Sequence, residues 1–233
     1  MKRHWGLYFC YAVTILAVLV GVNAVNRSVS AMAENRDRQG RTYIIIDPGH
    51  GGEDGGAVSV SGRAESAYNL EISLRLNQLL QLLGYQTGMT RNTDISIYAK
   101  GETLAQKKVS DLKQRVRIIN ETENALLLSI HQNHFSQEKY AGPQVFYAGT
   151  NGSDELAKQM QQILSDGLSP GSRRSIQKAK GIYLMEHITC PGILIECGFL
   201  SNYREEAALR EPEYQKKLSC LIAGGVSQYL SNT

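Results

Sequence analysis

Three isoleucines run straight into a glycine-rich turn in "IIIDPGHGGEDGG" (44–56), and that junction narrows the folds open to the chain. An unbroken run of β-branched residues suits a central strand covered on both faces. Asp47 and Pro48 end such a strand, and Gly49, Gly51 and Gly52 let the backbone turn sharply. His50 then stands at the strand's carboxyl end, where open α/β sheets hold their ligands. Taken alone, these residues read equally well as a glycine loop with an ordinary hydrogen-bonded histidine.

The same alternation continues along the chain. A helix is expected from about Ser66 to Leu83, with Leu70, Leu74, Leu79 and Leu82 among its apolar positions and Gly84 as its stop. "YQTGMTR" (85–91) reads as a strand, Asp94 to Lys108 as a polar connection, and Asp111 to Asn120 as a helix. "ALLLSI" (125–130) is a strongly apolar strand running into His131. "PQVFYAG" (143–149), "GIYLM" (181–185) and "GILIE" (192–196) are further strands. A helix capped by Ser153 extends to Leu168, and a long interrupted helix covers Glu205 to Leu230. The pattern predicts one α/β domain over 42–233, with a mostly parallel, roughly six-stranded sheet flanked by helices.

Ahead of it, Lys2 and Arg3 precede a run from Trp5 to Asn26 without a charged residue. This is the form of a signal peptide or a single membrane anchor, with the remainder exported. The length suits an anchor, since a span needs about 20 apolar residues. Ala31 and Ala33 in "SAMAE" make a cleavage pattern, but far from the apolar run. The expectation is therefore a retained anchor over 1–26, a polar linker over 27–41 and a domain outside the cytoplasm.

Charge excludes one class of partner. Setting aside Lys2, Arg3 and Arg27, the 25 basic residues fall to 22, against 22 acidic ones. No basic stripe is present for nucleic acid. Cys190, Cys197 and Cys220 form no C-x-x-C; a Cys190–Cys197 bridge is conceivable in an exported domain, with buried thiols the simpler expectation.

Three further ionisable residues border apolar elements: Glu65 after "SGRA", His131 after "LLLSI" and Glu196 at the end of "GILI". A buried unpaired carboxylate is costly, so Glu196 asks for a partner. Two histidines and one carboxylate with a water are the donor set of a catalytic zinc site. Each residue also has a plain reading: Glu65 suits a helix N-terminus, and His131 suits a sheet rim. His134 competes with His131, although in an extended segment the two point to opposite faces. His187, in "MEHITCPG", is a weaker candidate. Gly167–Gly171 matches G-x-S-x-G but follows a helix and contains a proline, so it is no nucleophile elbow. H-E-x-x-H, phosphate-loop and dinucleotide motifs are absent.

Taken together, "DPGHGGEDGGA" with Glu65, then "MTR", "LKQRVRIIN", "LLLSIHQNH" and "PGILIECGFLSN" resemble the zinc-dependent N-acetylmuramoyl-L-alanine amidases of the Amidase_3 type. The motifs occur in order from about Thr42 to Leu230. The resemblance implies zinc held by His50, Glu65 and His131, with Glu196 as the catalytic glutamate. It implies a peptidoglycan substrate, cleaved between the muramic lactyl group and L-alanine. His134 stands where the family is expected to carry a small residue.

Within the family, the chain resembles the spore-cortex amidases of the CwlD kind, which are short and lack a separate wall-binding domain. That implies a role before muramic-δ-lactam formation and a location between the forespore membranes. The short stretch from His134 to Pro143 leaves no room for the blocking helix of some relatives, so an open groove is expected, with activity limited by a regulatory protein partner or by expression instead. Two rivals remain. One is a zinc carboxypeptidase that clamps a terminal carboxylate with Arg91, Arg115 or Arg117; the other is an inactive tethered wall binder.

Overall fold

A strand apolar on both faces needs helices above and below it, and the computed structural model meets that demand. It describes residues 42–232, with Val13, Val20, Gly21 and Asn23 before them. Those four positions apart, the anchor expected over 1–26 and the linker over 27–41 lie outside the described residues. Among the described residues, no helix is long and apolar enough to cross a membrane.

Six strands form one sheet: β1 (Tyr43–Pro48), β2 (Gln86–Met89), β3 (Ala125–Asn133), β4 (Gln144–Tyr147), β5 (Gln177–Lys178) and β6 (Gly192–Phe199). Their order is β2-β1-β3-β6-β4-β5. The first four in that order run parallel, β4 is antiparallel to β6, and β5 is parallel to β4. The helices are α1 (Glu65–Leu82), α2 (Leu104–Glu121), α3 (Ser153–Leu168), α4 (Tyr183–His187), α5 (Tyr203–Arg210) and α6 (Pro212–Asn232).

Side chains alternate across a strand, so parity sorts them between the two faces. Ile44, Ile46, Leu126, Leu128, Ile130, Ile193 and Ile195 enter the larger core with α1, α3 and α6. Ile45, Leu127 and Leu194 face the other way, into the core with α2 and α4. Continuing that second series places Asp47, Ser129, His131 and Glu196 on the α2/α4 side, at the carboxyl ends of β1, β3 and β6. Each fully buried Leu or Ile contributes about 1.5–3 kcal/mol. A one-residue slip would exchange these with the polar set, so burial pins the register that builds the site.

Three expectations change. Residues 181–185 are not a strand: Gly181 takes φ 71°, and α4 follows, with Leu184, Met185 and Ile188 packed at helical spacing into the second core. The sixth strand is instead the exposed pair Gln177–Lys178 at the sheet edge. The helix expected over 111–120 begins at Leu104, where Thr103 and Gln106 form a reciprocal capping box. Ser153 is the first residue of α3 rather than its cap, which is Gly152. All three described cysteines are free; Cys197 lies in one core and Cys190 packs against the other, so the sheet separates them.

Candidate metal centre and active site

The turn after β1 is held from beneath. Asp47 is buried and accepts hydrogen bonds from Thr90 Oγ1 at 2.6 Å, Ser129 Oγ at 2.8 Å and Arg115 Nη1 at 2.6 Å. Burial alone would raise its carboxyl, but Arg115 and the two hydroxyls hold it down at about 2. Arg115, only 2% exposed, also donates to the carbonyls of Pro48 at 2.9 Å and His50 at 2.7 Å, and to Asp111 at 2.6 Å. Arg91 donates to Pro48, Gly49 and Ser66 carbonyls at 2.9 Å each. These two guanidiniums are turned inward, Arg91 onto backbone carbonyls and Arg115 onto Asp47, Asp111 and two carbonyls. They cannot clamp a substrate carboxylate, and Arg117 is exposed on α2.

The same clamps stabilise an unusual backbone. His50 has φ 60°, a left-handed conformation that disfavours side chains. Two glycines leave room for what gathers there. A Cβ on Gly49 would lie 2.2 Å from the His131 ring, and one on Gly56 would lie 2.6 Å from Glu65 Oε2.

Into that space come His50 from the turn, Glu65 from the first residue of α1 and His131 from β3. Their ligand atoms lie within 4.8 Å of one another, the one such group among the described residues. His131 Nδ1 is 3.0 Å from Glu65 Oε1, and His50 Nε2 is 3.3 Å from Glu65 Oε2. The carboxylate also accepts from the amides of Ala57 and Gln132 and from Asn69. Glu65 is held far below the usual carboxylate range by the two imidazoles, against the effect of burial. His50 Nδ1 faces Asp54 Oδ2 at 3.0 Å, and Lys108 meets Asp54 Oδ1 at 2.7 Å. Burial opposes charge on His50, yet Asp54 and Glu65 push its imidazolium up to about 9. Two imidazole nitrogens and a carboxylate, braced by a hydrogen-bonded Asp54, are donors that fit zinc with a coordination position to spare.

Glu196 is the register partner of His131 across the β3–β6 ladder. Its Oε2 is buried without a hydrogen-bond partner, a costly state for a group with no task. Burial, opposed by His131 and aided by Glu65, pushes its carboxyl up to about 7. A cleft of about 320 Å³ lies beside His50 and His131, bounded by Lys108, Leu112 and the 181–184 segment. No helix forms between His134 and Pro143 to cover the site. A larger hollow of about 680 Å³ on α2 and the preceding loop contains none of these side chains.

His50, Glu65 and His131 thus converge, with Glu196 opposite His131 in the ladder, while the other described histidines lie elsewhere. His134 is exposed, and exposed His187 stacks on Tyr183 at 3.9 Å with Nδ1 against that residue's carbonyl. Sequence reasoning missed Asp54 and Lys108, and offered Arg91 and Arg115 only as carboxylate clamps rather than as braces of the turn. The i+4 spacing of Asp54 from His50 was the one available signal.

A parallel-centred α/β sheet with a His–Glu–His cluster at its carboxyl edge and a half-buried, partnerless glutamate alongside is an arrangement that could hold a metal and serve a hydrolase. Residues 44–228 match the Amidase_3 model, described as N-acetylmuramoyl-L-alanine amidase, and the chain belongs to that family of peptidoglycan amidases. The germination-specific N-acetylmuramoyl-L-alanine amidase of Bacillus subtilis (strain 168) is 40% identical over 190 residues, covering 81% of this chain and 79% of the relative. The CwlD amidase from Clostridioides difficile, solved in complex with the GerS lipoprotein, is 37% identical with a TM-score of 0.79 over 82% of this chain and 100% of that one. An N-acetylmuramoyl-L-alanine amidase from Clostridium difficile 630 is 30% identical with a TM-score of 0.71, covering 81% of this chain and 96% of the other.

Proposed function

We propose that the chain is a zinc-dependent amidase of spore peptidoglycan, with His50, Glu65 and His131 as zinc ligands and Glu196 as general base. The observation that supports it most directly is the partnerless Glu196 oxygen beside a three-donor cluster. A bound zinc would supply Lewis acidity, polarising the amide carbonyl and acidifying water. Glu196 accepts the proton of the attacking water and passes it to the departing L-alanine amine. Asp54 holds the His50 ring so that Nε2 faces the donor cluster.

The spore setting, ahead of muramic-δ-lactam formation, draws on the germination-specific relative and the CwlD neighbour. Export on an N-terminal anchor draws on Lys2 and Arg3 followed by the uncharged run from Trp5 to Asn26. A regulatory protein partner draws on the neighbour solved with a lipoprotein. Mass spectrometry of digested wall glycan tests the reaction: new L-alanine amino groups are expected. Shortened stems would mean a carboxypeptidase, and unchanged glycan would mean a binder; either result sinks the proposal.

Two metal-binding outcomes follow from the ligand set. His131→Ala is expected to weaken zinc binding more than about 100-fold, beyond the ~10–100-fold that follows loss of an outer hydrogen bond. His134→Ala should leave affinity nearly unchanged in the same chelator competition, and the reverse pattern would overturn the ligand set. Asp54→Asn, which keeps the side chain's size but weakens its hold on His50, should fall within the ~10–100-fold band. Wild-type affinity in that variant would remove Asp54 from the site.

A further inference from the structure

The amidase reaction proposed above gives no task to one cation on the same face as Glu196. Arg174, half-buried in the segment between α3 and β5, is fixed from three sides. Its Nε donates to the Ala141 carbonyl at 2.9 Å, its Nη1 donates to Gln144 Oε1 at 3.0 Å, and its guanidinium lies 4.7 Å from the centroid of the Phe199 ring. Among the described residues no carboxylate pairs with it. Arg91 is spent on backbone carbonyls, Arg115 on Asp47, Asp111 and carbonyls, and Lys108 on Asp54. Arg174 is half-buried, so part of it stays reachable from solvent.

Strand register shows which face is occupied by the two side chains that this guanidinium touches. Gln144 is the antiparallel partner of Glu196, and directly opposed residues project to the same face. Phe199 reaches that face through an irregularity. His131 pairs with Glu196, but Asn133 pairs with Phe199 rather than with Gly198. The extra residue in β6 reverses parity beyond it and carries Phe199 onto the side of His131 and Glu196. Arg174 therefore rests on two side chains of the site face. One cross-strand step and a side-chain contact put it on the order of 10 Å from Glu196.

We infer that Arg174 recognises a carboxylate of the stem peptide, the free α-carboxylate of the acidic residue that follows L-alanine. This rests on the amidase reading. A guanidinium pinned through Nε and Nη1 on an aromatic ring keeps its Nη2 edge for a planar anion, and charge-assisted bonds to carboxylates are among the stronger ones. The reach agrees: two residues of extended peptide span about 7 Å, and an ion-pair contact adds about 3 Å.

The test uses the full chain and a pair of muramoyl–L-alanyl–γ-D-glutamyl substrates that differ only in whether the α-carboxyl is free or amidated. Wild type is expected to prefer the free acid by about 10–100-fold in kcat/KM, mainly through KM. In Arg174→Gln the ratio should fall to near unity, and in Arg174→Lys it should recover in part. Should the glutamine variant fail to fold, the lysine variant decides by the same ratio. A wild type indifferent to the carboxyl overturns the inference. So does an equal loss on both substrates, because a merely structural arginine would act through Gln144 and Phe199 on either one. Wild type that releases L-alanine amines from neither substrate fails the amidase reading itself, and the inference falls with it.

Discussion

Glu196→Gln is expected to lower amidase turnover by about 10²–10⁴-fold, the usual loss when a positioned base is removed, while zinc content stays near wild type. Glutamine keeps the shape at the end of β6 and the place opposite His131. It cannot accept a proton from water. A ligand role predicts something else: the variant would lose zinc, and added zinc would restore activity. A purely structural role predicts that turnover survives in the folded fraction. Zinc stoichiometry and muropeptide release on this one variant separate the three.

Stability of the zinc-free protein gives a second readout. Burial raises the Glu196 carboxyl from 4.5 to about 7. With the folded value the higher, the fold binds this proton more tightly than the unfolded chain does. The associated stability is fully present below about pH 4.5 and is lost as pH rises to about 7. The loss is on the order of 2 kcal/mol once partial exposure is discounted. Glutamine has no proton to release, so denaturation midpoints at pH 5 and pH 8 should differ less in the variant than in wild type. The same pH dependence in both proteins would place the burden on another group.

Legibility in the sequence followed the range of the interactions. The isoleucine and leucine runs name central strands because burial on both faces demands them, and the four candidate site residues were visible as ionisable groups at the ends of apolar elements. Strand order was not legible: only the β3–β6 pairing sets His131 opposite Glu196. "GIYLM" was ambiguous, because four apolar residues after a glycine fit a strand or one helical turn until packing against Ile45 and Leu194 decides between them. The capping box at Thr103 was a local signal, obscured by the polarity of the helix it opens. Arg115 and Arg174 were illegible as to role. A charged residue on a polar helix face, as at Arg115, or in a polar connection, as at Arg174, reads as solvent-facing, and only long-range pairing shows what each guanidinium touches.

Arg115→Met is expected to destabilise the zinc-free protein by about 3–5 kcal/mol, since it leaves the buried Asp47 carboxylate without its cation. Asp47 is 1% exposed, and the Thr90 and Ser129 hydroxyls cannot neutralise it. The loss reaches the site as well. Pro48 and His50 each lose a donor to their carbonyls, and the left-handed turn at His50 loses part of what holds it. Asp47→Asn on top of Arg115→Met should recover part of the stability, because the unpaired charge is gone, and a double-mutant cycle measures that coupling. Acid titration gives the sign independently. Arg115 helps to hold Asp47 down from 3.8 to about 2, so the paired state contributes stability above about pH 3.8 that is lost as pH falls through about 2. Removing the guanidinium should flatten that acid limb. Urea unfolding that shows a loss under about 1 kcal/mol, or no coupling in the cycle, would mean that the turn is held by Arg91 and the glycines alone.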